Sequence, residues 1–248
     1  MNTIANNIKN TVKYDPLGDG KSSVELIDYM GDDLTVVNAA RVSLHKQSEW
    51  DIVTEEKNGI RTENKRLNEK DVRLINYLAV HQHWTPFSQC QLQFRIKMPI
   101  FVSRQWYKHQ VGFTRNEVSR RYVSYEPELF FPSKWRLKAD NVKQGSSDET
   151  IPLLPEDVDV CNQAVTVYNM LLKKGICPEQ ARMILPQNMY TEFVETASLA
   201  AYSRLCKLRL DPHAQKEIQL YAQVVLEIIS HIMPVSWNAL MGTGSSVQ

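Results

Sequence analysis

Along residues 24–30 (VELIDYM) apolar and polar side chains alternate, the period-two pattern of a strand that buries one face. A helix is expected next, with Asp32 or Asp33 as N-cap and Leu34, Val37 and Ala40 on its apolar side, ending near residues 41–43. Helical spacing returns at Leu74, Ile75 and Leu78 within residues 67–83, and Pro86 stands where a helix stop belongs. Residues 89–98 (QCQLQFRIKM) alternate cleanly, placing Cys90, Leu92, Phe94, Ile96 and Met98 on one face of a second strand. Pro99 closes that strand and opens a helix at its first turn. This helix, residues 100–109, is expected to project Gln105, Lys108 and His109 together, with Val102 and Trp106 sharing another face.

Two polar stretches break the pattern. Residues 45–65 are rich in charge, hold Gly59 and read as a surface loop or insertion; residues 138–157, with Gly145, Ser146, Ser147, Pro152 and Pro155, read as a mobile loop. Beyond them the sequence predicts a helix over 157–174 stopped by Gly175, a short helix opened by Pro178, a strand around 189–196 and two more helices. The last long helix takes Asp211 as N-cap and Pro212 as its first residue, with Ile218, Ala222, Val225, Ile229 and Ile232 on its apolar stripe. No internal repeat appears. The expectation is one domain over residues 1–248, with polar insertions near 45–65 and 138–157.

Composition changes this picture only at a few points. Hydrophobic residues at 43% and charged residues at 23% suit a folded chain with a substantial core. Lys and Arg number 29 against 28 Asp and Glu, a net charge of +1, so no global field attracts nucleic acid or an anionic membrane and any anion must be held locally. The four cysteines, Cys90, Cys161, Cys177 and Cys206, form no C-x-x-C pair and read as reduced structural thiols. The N-terminus is polar, and no stretch approaches the roughly 20 apolar residues of a membrane span; a soluble, cytoplasmic protein is the expectation.

The densest candidate chemistry lies in residues 104–122, RQWYKHQVGFTRNEVSRRY. Arg104, Lys108, His109, Arg115, Arg120 and Arg121 crowd among Gln105, Asn116, Glu117 and Ser119, a set that suits a phosphate monoester because guanidinium forks and short hydroxyl donors meet its oxygens from several sides. A solvated basic loop is the competing reading. Arg182 within ARMILP and Arg209 within LCKLRLDP sit in apolar runs, where an arginine needs a partner, either an internal carboxylate or a ligand. Ser119 has no activating base beside it and suits phosphate contact better than nucleophilic attack. His81 and His83 flank Gln82 at a helix end without a third metal ligand, so no metal site is expected.

Six ordered blocks carry a resemblance: VELIDYMGDDLTVVNAARVS, YLAVHQHWTPF, PIFVSRQWYKHQ, NEVSRRY, ARMILP and LRLDPHAQKEIQLYA. From about Val24 to Tyr221 the chain resembles the flavin-dependent thymidylate synthases. The resemblance implies an α/β fold of α+β type, a twisted, mainly antiparallel sheet flanked by helices, assembled as a homotetramer with shared active sites. It implies FAD as cofactor, methylene-tetrahydrofolate and NADPH as co-substrates, and methylation of deoxyuridine monophosphate (dUMP). Nucleotide contacts then fall to Gln105, Lys108, Glu117, Ser119, Arg120 and Arg121 around phosphate and sugar, with Arg182 and Arg209 reaching base and ribose. FAD contacts fall to Ser43, His83, Thr85, Lys108, His109, Gln110, Asn116, Glu117 and Arg204, and catalytic roles to Arg209 and His83.

The family's Arg-His-Arg, seven or eight residues, Ser motif stands here as Lys108-His109-Gln110, eight residues, Ser119. Ser88 replaces a frequent Glu, and Ser198, Ala200 and Arg204 stand where many members have Asn, Arg and Asn. No cysteine lies in a Pro-Cys-His setting, which speaks against a thiol route, and the resemblance implies activation of uracil by an arginine instead. Two rival readings are a flavin-independent, folate-dependent transferase acting on a pyrimidine nucleotide, and a module gripping single-stranded nucleic acid through residues 104–122.

Overall fold

The computed structural model describes residues 12–57, 60–123, 125–140 and 145–242. The polar N-terminus over residues 1–11, and parts of the two polar stretches at 58–59 and 141–144, lie outside the described residues. In chain order the elements are β1 (Lys13–Tyr14), β2 (Ser23–Met30), α1 (Asp33–Arg41), β3 (Asp51–Lys57), β4 (Ile60–Arg66), α2 (Glu69–Val80), β5 (Gln91–Pro99), α3 (Ile100–Trp106), β6 (Phe113–Glu117), β7 (Lys134–Lys138), β8 (Ser146–Pro152), α4 (Pro155–Lys173), α5 (Pro178–Ala181), β9 (Tyr190–Ser198), α6 (Leu199–Arg209), α7 (Lys216–Ile232) and α8 (Pro234–Met241).

A five-stranded antiparallel sheet in the order β1-β2-β5-β9-β6 organises the chain. Its alternation comes from burying one face: Leu92, Phe94, Ile96 and Met98 of β5 are fully enclosed beneath helices, while Gln91, Gln93 and Lys97 are half-buried and Arg95 is exposed on the other side. Each such aliphatic or aromatic side chain contributes about 1.5–3 kcal/mol relative to exposure. α7 supplies Ile218, Ala222, Val225 and Ile229 to the same core. The mixed α/β architecture with antiparallel sheets and flanking helices is the one expected.

Two junctions position the site. β5 runs into α3 through Pro99, and β9 runs into α6 through Ser198, whose hydroxyl accepts from Ala201 N at 3.2 Å. Both helices lie over one sheet face, because Trp106 of α3 and Tyr202 of α6 reach the same carboxylate, Glu195 of β9.

Several elements differ from expectation. α3 stops at Trp106, so Lys108 and His109 stand on the following turn, which is closed by hydrogen bonds from His109 N to Trp106 O and from Phe113 N to Gln110 O, both 3.1 Å. The stretch at 45–65 contains the β3–β4 hairpin, and residues 138–157 contain part of a second hairpin, β7–β8. Asp157 lies inside α4, where its carboxylate accepts from Leu154 N at 3.0 Å. Asp211 is not the N-cap of α7: it accepts from His213 N at 2.8 Å within a turn, and the helix starts at Lys216. α8 was not expected as a separate helix; Asp33 of α1 binds its first amides, Val235 N at 3.1 Å and Ser236 N at 2.8 Å.

Candidate active site

Glu195 is a fully buried carboxylate. Its inward position on β9 is set by register, between Phe193 and Ala197 and opposite Arg115 of β6. The carboxylate accepts from Arg115 Nε at 2.6 Å, Trp106 Nε1 at 3.0 Å and the Tyr202 hydroxyl at 3.2 Å. Burial pushes its pKa above the ordinary value, against the opposing pull of Arg115 and the two other donors. Arg115 packs over the Phe113 ring at 4.4 Å and donates through Nη1 to the backbone oxygen of His109 at 2.6 Å.

That bond fixes the turn carrying His109, and the imidazole meets α6: Arg209 Nε donates to His109 Nε2 at 2.9 Å, and Arg209 Nη2 donates to Gln105 O at 2.8 Å. Accepting from an arginine requires a bare Nε2, so the imidazole proton resides on Nδ1. Burial first, then Arg209, Arg115 and Arg204, hold the His109 pKa down to about 4, so the ring is neutral at physiological pH. Burial also presses the Arg209 guanidinium down from its usual value, although arginine stays charged in proteins.

Gln105 and Arg209 share the wall of a cleft of about 830 Å³ with Arg136, Pro212, His213 and Gln215. Gln105 Nε2 donates to Gln215 Oε1, and Gln215 Nε2 donates to Glu217 at 2.8 Å. A second cleft, of about 320 Å³, is lined by His83, Trp84, Phe87, Ser203 and Arg204. Arg204 Nη2 donates to Val111 O at 2.9 Å. His83 N donates to Leu78 O at 2.8 Å, holding the exposed ring beside Tyr77, with centroids 5.9 Å apart.

The other residues singled out in the sequence are placed as follows. Ser43 is exposed and donates to Ala40 O at 2.9 Å; Thr85, Lys108 and Gln110 are exposed in turns. Asn116 and Glu117 sit on β6, where Glu117 accepts from the Thr191 hydroxyl. Arg120 is buried, stacks over Tyr125 at 4.1 Å and donates to the Tyr125 carbonyl. Ser119 Oγ accepts from Arg121 N at 3.3 Å, and Arg121 pairs with Glu179 at 3.6 Å, one helical turn before the exposed Arg182. Gln105, His109 and Arg209 are thus brought together. Arg121 and Arg182 do not line the Arg209 cleft within one chain.

Glu195, Gln215 and Arg136 were not anticipated. Glu195 had a signal: a carboxylate at an inward position of an alternating strand needs partners. The cysteines are free, and burial pushes the Cys90 thiol up to about 12 and raises Cys206 as well, so neither is poised as a thiolate.

Residues 25–235 match the family described as Thymidylate synthase complementing protein. The flavin-dependent thymidylate synthase of Thermus thermophilus is 38% identical over 224 residues, 88% of this chain and 75% of that protein. The enzyme of the same name from Thermosipho africanus is 36% identical over 226 residues, 89% of this chain and 91% of its own length. Among solved structures, the UMP/dUMP methylase PolB from Streptomyces cacaoi bound with 5-Br dUMP is similar with a TM-score of 0.71 at 27% identity, covering 89% of this chain and 95% of that one. With the match spanning most of its length, the chain belongs to the Thymidylate synthase complementing protein family, that of the flavin-dependent thymidylate synthases.

Proposed function

We propose that this protein reductively methylates dUMP to thymidine monophosphate, taking the one-carbon unit from methylene-tetrahydrofolate and reducing equivalents from NADPH, with FAD as cofactor. The observation that carries the proposal is the Arg209 guanidinium, held on a polar cleft wall by a neutral imidazole and a backbone carbonyl. A cation oriented in this way needs no reorganisation as negative charge develops on a uracil ring, and removing one such preorganised donor typically costs about 10²–10³ in turnover.

The residues of the second cleft fit a flavin: Trp84 offers apolar surface to a planar ring, with the buried Phe87 behind the cleft wall, and Arg204 offers charge to a phosphate. FAD, when bound there, supplies the two-electron chemistry. His83, at its rim, is assigned to hold the flavin, with Ser43, Thr85, Lys108, Gln110 and Asn116 contributing from exposed positions. His109 acts through Arg209, as the acceptor that orients it.

The exposed Arg121 and Arg182, together with Ser119 and Glu117, suit a nucleotide phosphate and sugar presented to a neighbouring chain. Their separation from Arg209 supports a homotetramer with shared sites, as do exposed Val80, Trp84 and Val111. One domain carries the whole activity, and the cytoplasm is the compartment proposed; among the described residues no helix is long and apolar enough to cross a membrane.

Anaerobic incubation with dUMP, methylene-tetrahydrofolate, NADPH and FAD should yield thymidine monophosphate. Arg209→Ala should lower turnover at least about 100-fold while leaving flavin absorbance after gel filtration unchanged. Absence of product overturns the assignment; parallel loss of turnover and flavin shows Arg209 to be a structural residue.

A further inference from the structure

The β7–β8 hairpin carries Arg136 to the start of α7, where Nη2 donates to both oxygens of Glu217, at 2.7 and 2.9 Å, and Nε donates to Ser146 Oγ at 2.9 Å. The Glu217 side chain is only 8% exposed. A carboxylate paired with a guanidinium only accepts hydrogen bonds. Gln215 must therefore turn its NH2 toward Glu217, which it does at 2.8 Å, and this leaves its carbonyl oxygen facing Gln105. That oxygen takes the Gln105 NH2. The polarity set at Arg136 thus passes through three side chains and ends with Gln105 Oε1, an acceptor with no hydrogen-bond partner among the described residues, on the wall shared with Arg209.

We propose that Arg136 is a positioning residue that locks the Gln105 amide so that the cleft presents an acceptor selecting a hydrogen-bond donor of the bound nucleotide. This rests on the reading of the Arg209 cleft as the nucleotide cleft. A phosphate dianion offers no donor, so Gln105 Oε1 does not face the phosphate. dUMP has two donors away from the phosphate, the sugar 3′-hydroxyl and the ring N3–H, and either satisfies Oε1. Without Arg136, the Glu217 carboxylate loses the fork that fixes both of its oxygens, Gln215 loses a fixed acceptor, and the Gln105 amide is freer to turn over and offer either end.

The test is calorimetric binding to the full-length, FAD-loaded protein of three nucleotides: dUMP, 2′,3′-dideoxyuridine monophosphate and N3-methyl-dUMP. Wild type should bind one analogue about tenfold more weakly than dUMP, the loss of a typical hydrogen bond, and which analogue identifies the donor. Arg136→Met should narrow that preference to about twofold or less. Arg136→Lys keeps the charge but not the fork and should fall between the two; it carries the test if Arg136→Met does not fold. The proposal is overturned if wild type binds all three nucleotides alike, or if the variants weaken all three by one common factor, as simple destabilisation would. Failure of wild type to bind any of the three overturns the nucleotide reading itself, and the role of Arg136 with it.

Discussion

Removing either half of the Glu195–Arg115 pair should destabilise the fold strongly but with different pH dependence. Glu195 is fully enclosed and Arg115 has 13% of its side chain exposed, so each single change leaves a largely desolvated charge behind, at a cost of about 3–5 kcal/mol. Glu195→Leu falls near the lower end, because Arg115 keeps its bond to His109 O and its contact with the Phe113 ring. Arg115→Leu strands a carboxylate with only Trp106 and Tyr202 as donors. That carboxylate can escape by taking a proton, and burial already raises its pKa. With the folded pKa raised above the unfolded one, the folded state binds more protons, so the stability of Arg115→Leu falls as pH rises and recovers in mild acid. Glu195→Leu lacks that escape and keeps a near-constant deficit at the pair. The double variant, with both charges gone, should lose less than the sum of the singles by about 2 kcal/mol or more. Urea unfolding followed by tryptophan fluorescence at fixed protein concentration, at pH 6 and pH 8, measures all four corners. Additivity within about 0.5 kcal/mol, or a deficit in Arg115→Leu that does not change with pH, refutes the pairing argument.

The remaining predictions use other contacts. His109 should keep a neutral-ring NMR signature down to about pH 5, with a midpoint near 4; a midpoint near 6.5 contradicts the arginine-flanked geometry. Because folded His109 binds fewer protons than the unfolded chain between pH 4 and 6.5, its contribution to stability is complete above that window and is lost as pH falls through it, and His109→Gln should flatten this part of the stability curve. Gly31 has φ +89°, and an added Cβ would lie 2.8 Å from Cys90 Sγ, so Gly31→Ala should cost about 2–3 kcal/mol; Gly175→Ala, with φ +83° and open space, should cost about 1 kcal/mol, and equal thermal shifts in the two would remove the steric argument. Asp33→Ala should expose α8 to hydrogen exchange and lose about 1–3 kcal/mol, since a buried amide and a half-buried one lose their acceptor; unchanged protection at Val235 and Ser236 would show that the cap is dispensable.

What was legible in the sequence follows from where burial is one-sided. β5 and β9 each bury one face against helices, and β2 does so as far as Leu26, before its register shift; that difference writes alternation into the residues. The β3–β4 and β7–β8 hairpins expose most of both faces, so no alternation is required and they read as polar loops. Local capping rules went astray where a cap comes from afar: Asp33 reaches α8 across 202 residues, while Asp211 and Pro212 imitate a helix start yet close a turn. The cation cluster was equally visible, but its division of labour depends on pairings made across the sheet. Arg115 and Arg120 turn inward to Glu195 and the Tyr125 carbonyl, and only the fold shows this. The consequence reaches the chemistry. Burial first, and then three arginines around His109, suppress its protonation, and it is this suppression that leaves Nε2 bare to accept from Arg209. Arg115, one of the cations that first suggested a phosphate cradle, therefore also acts on the protein itself, by helping to keep one histidine neutral and through it aiming Arg209.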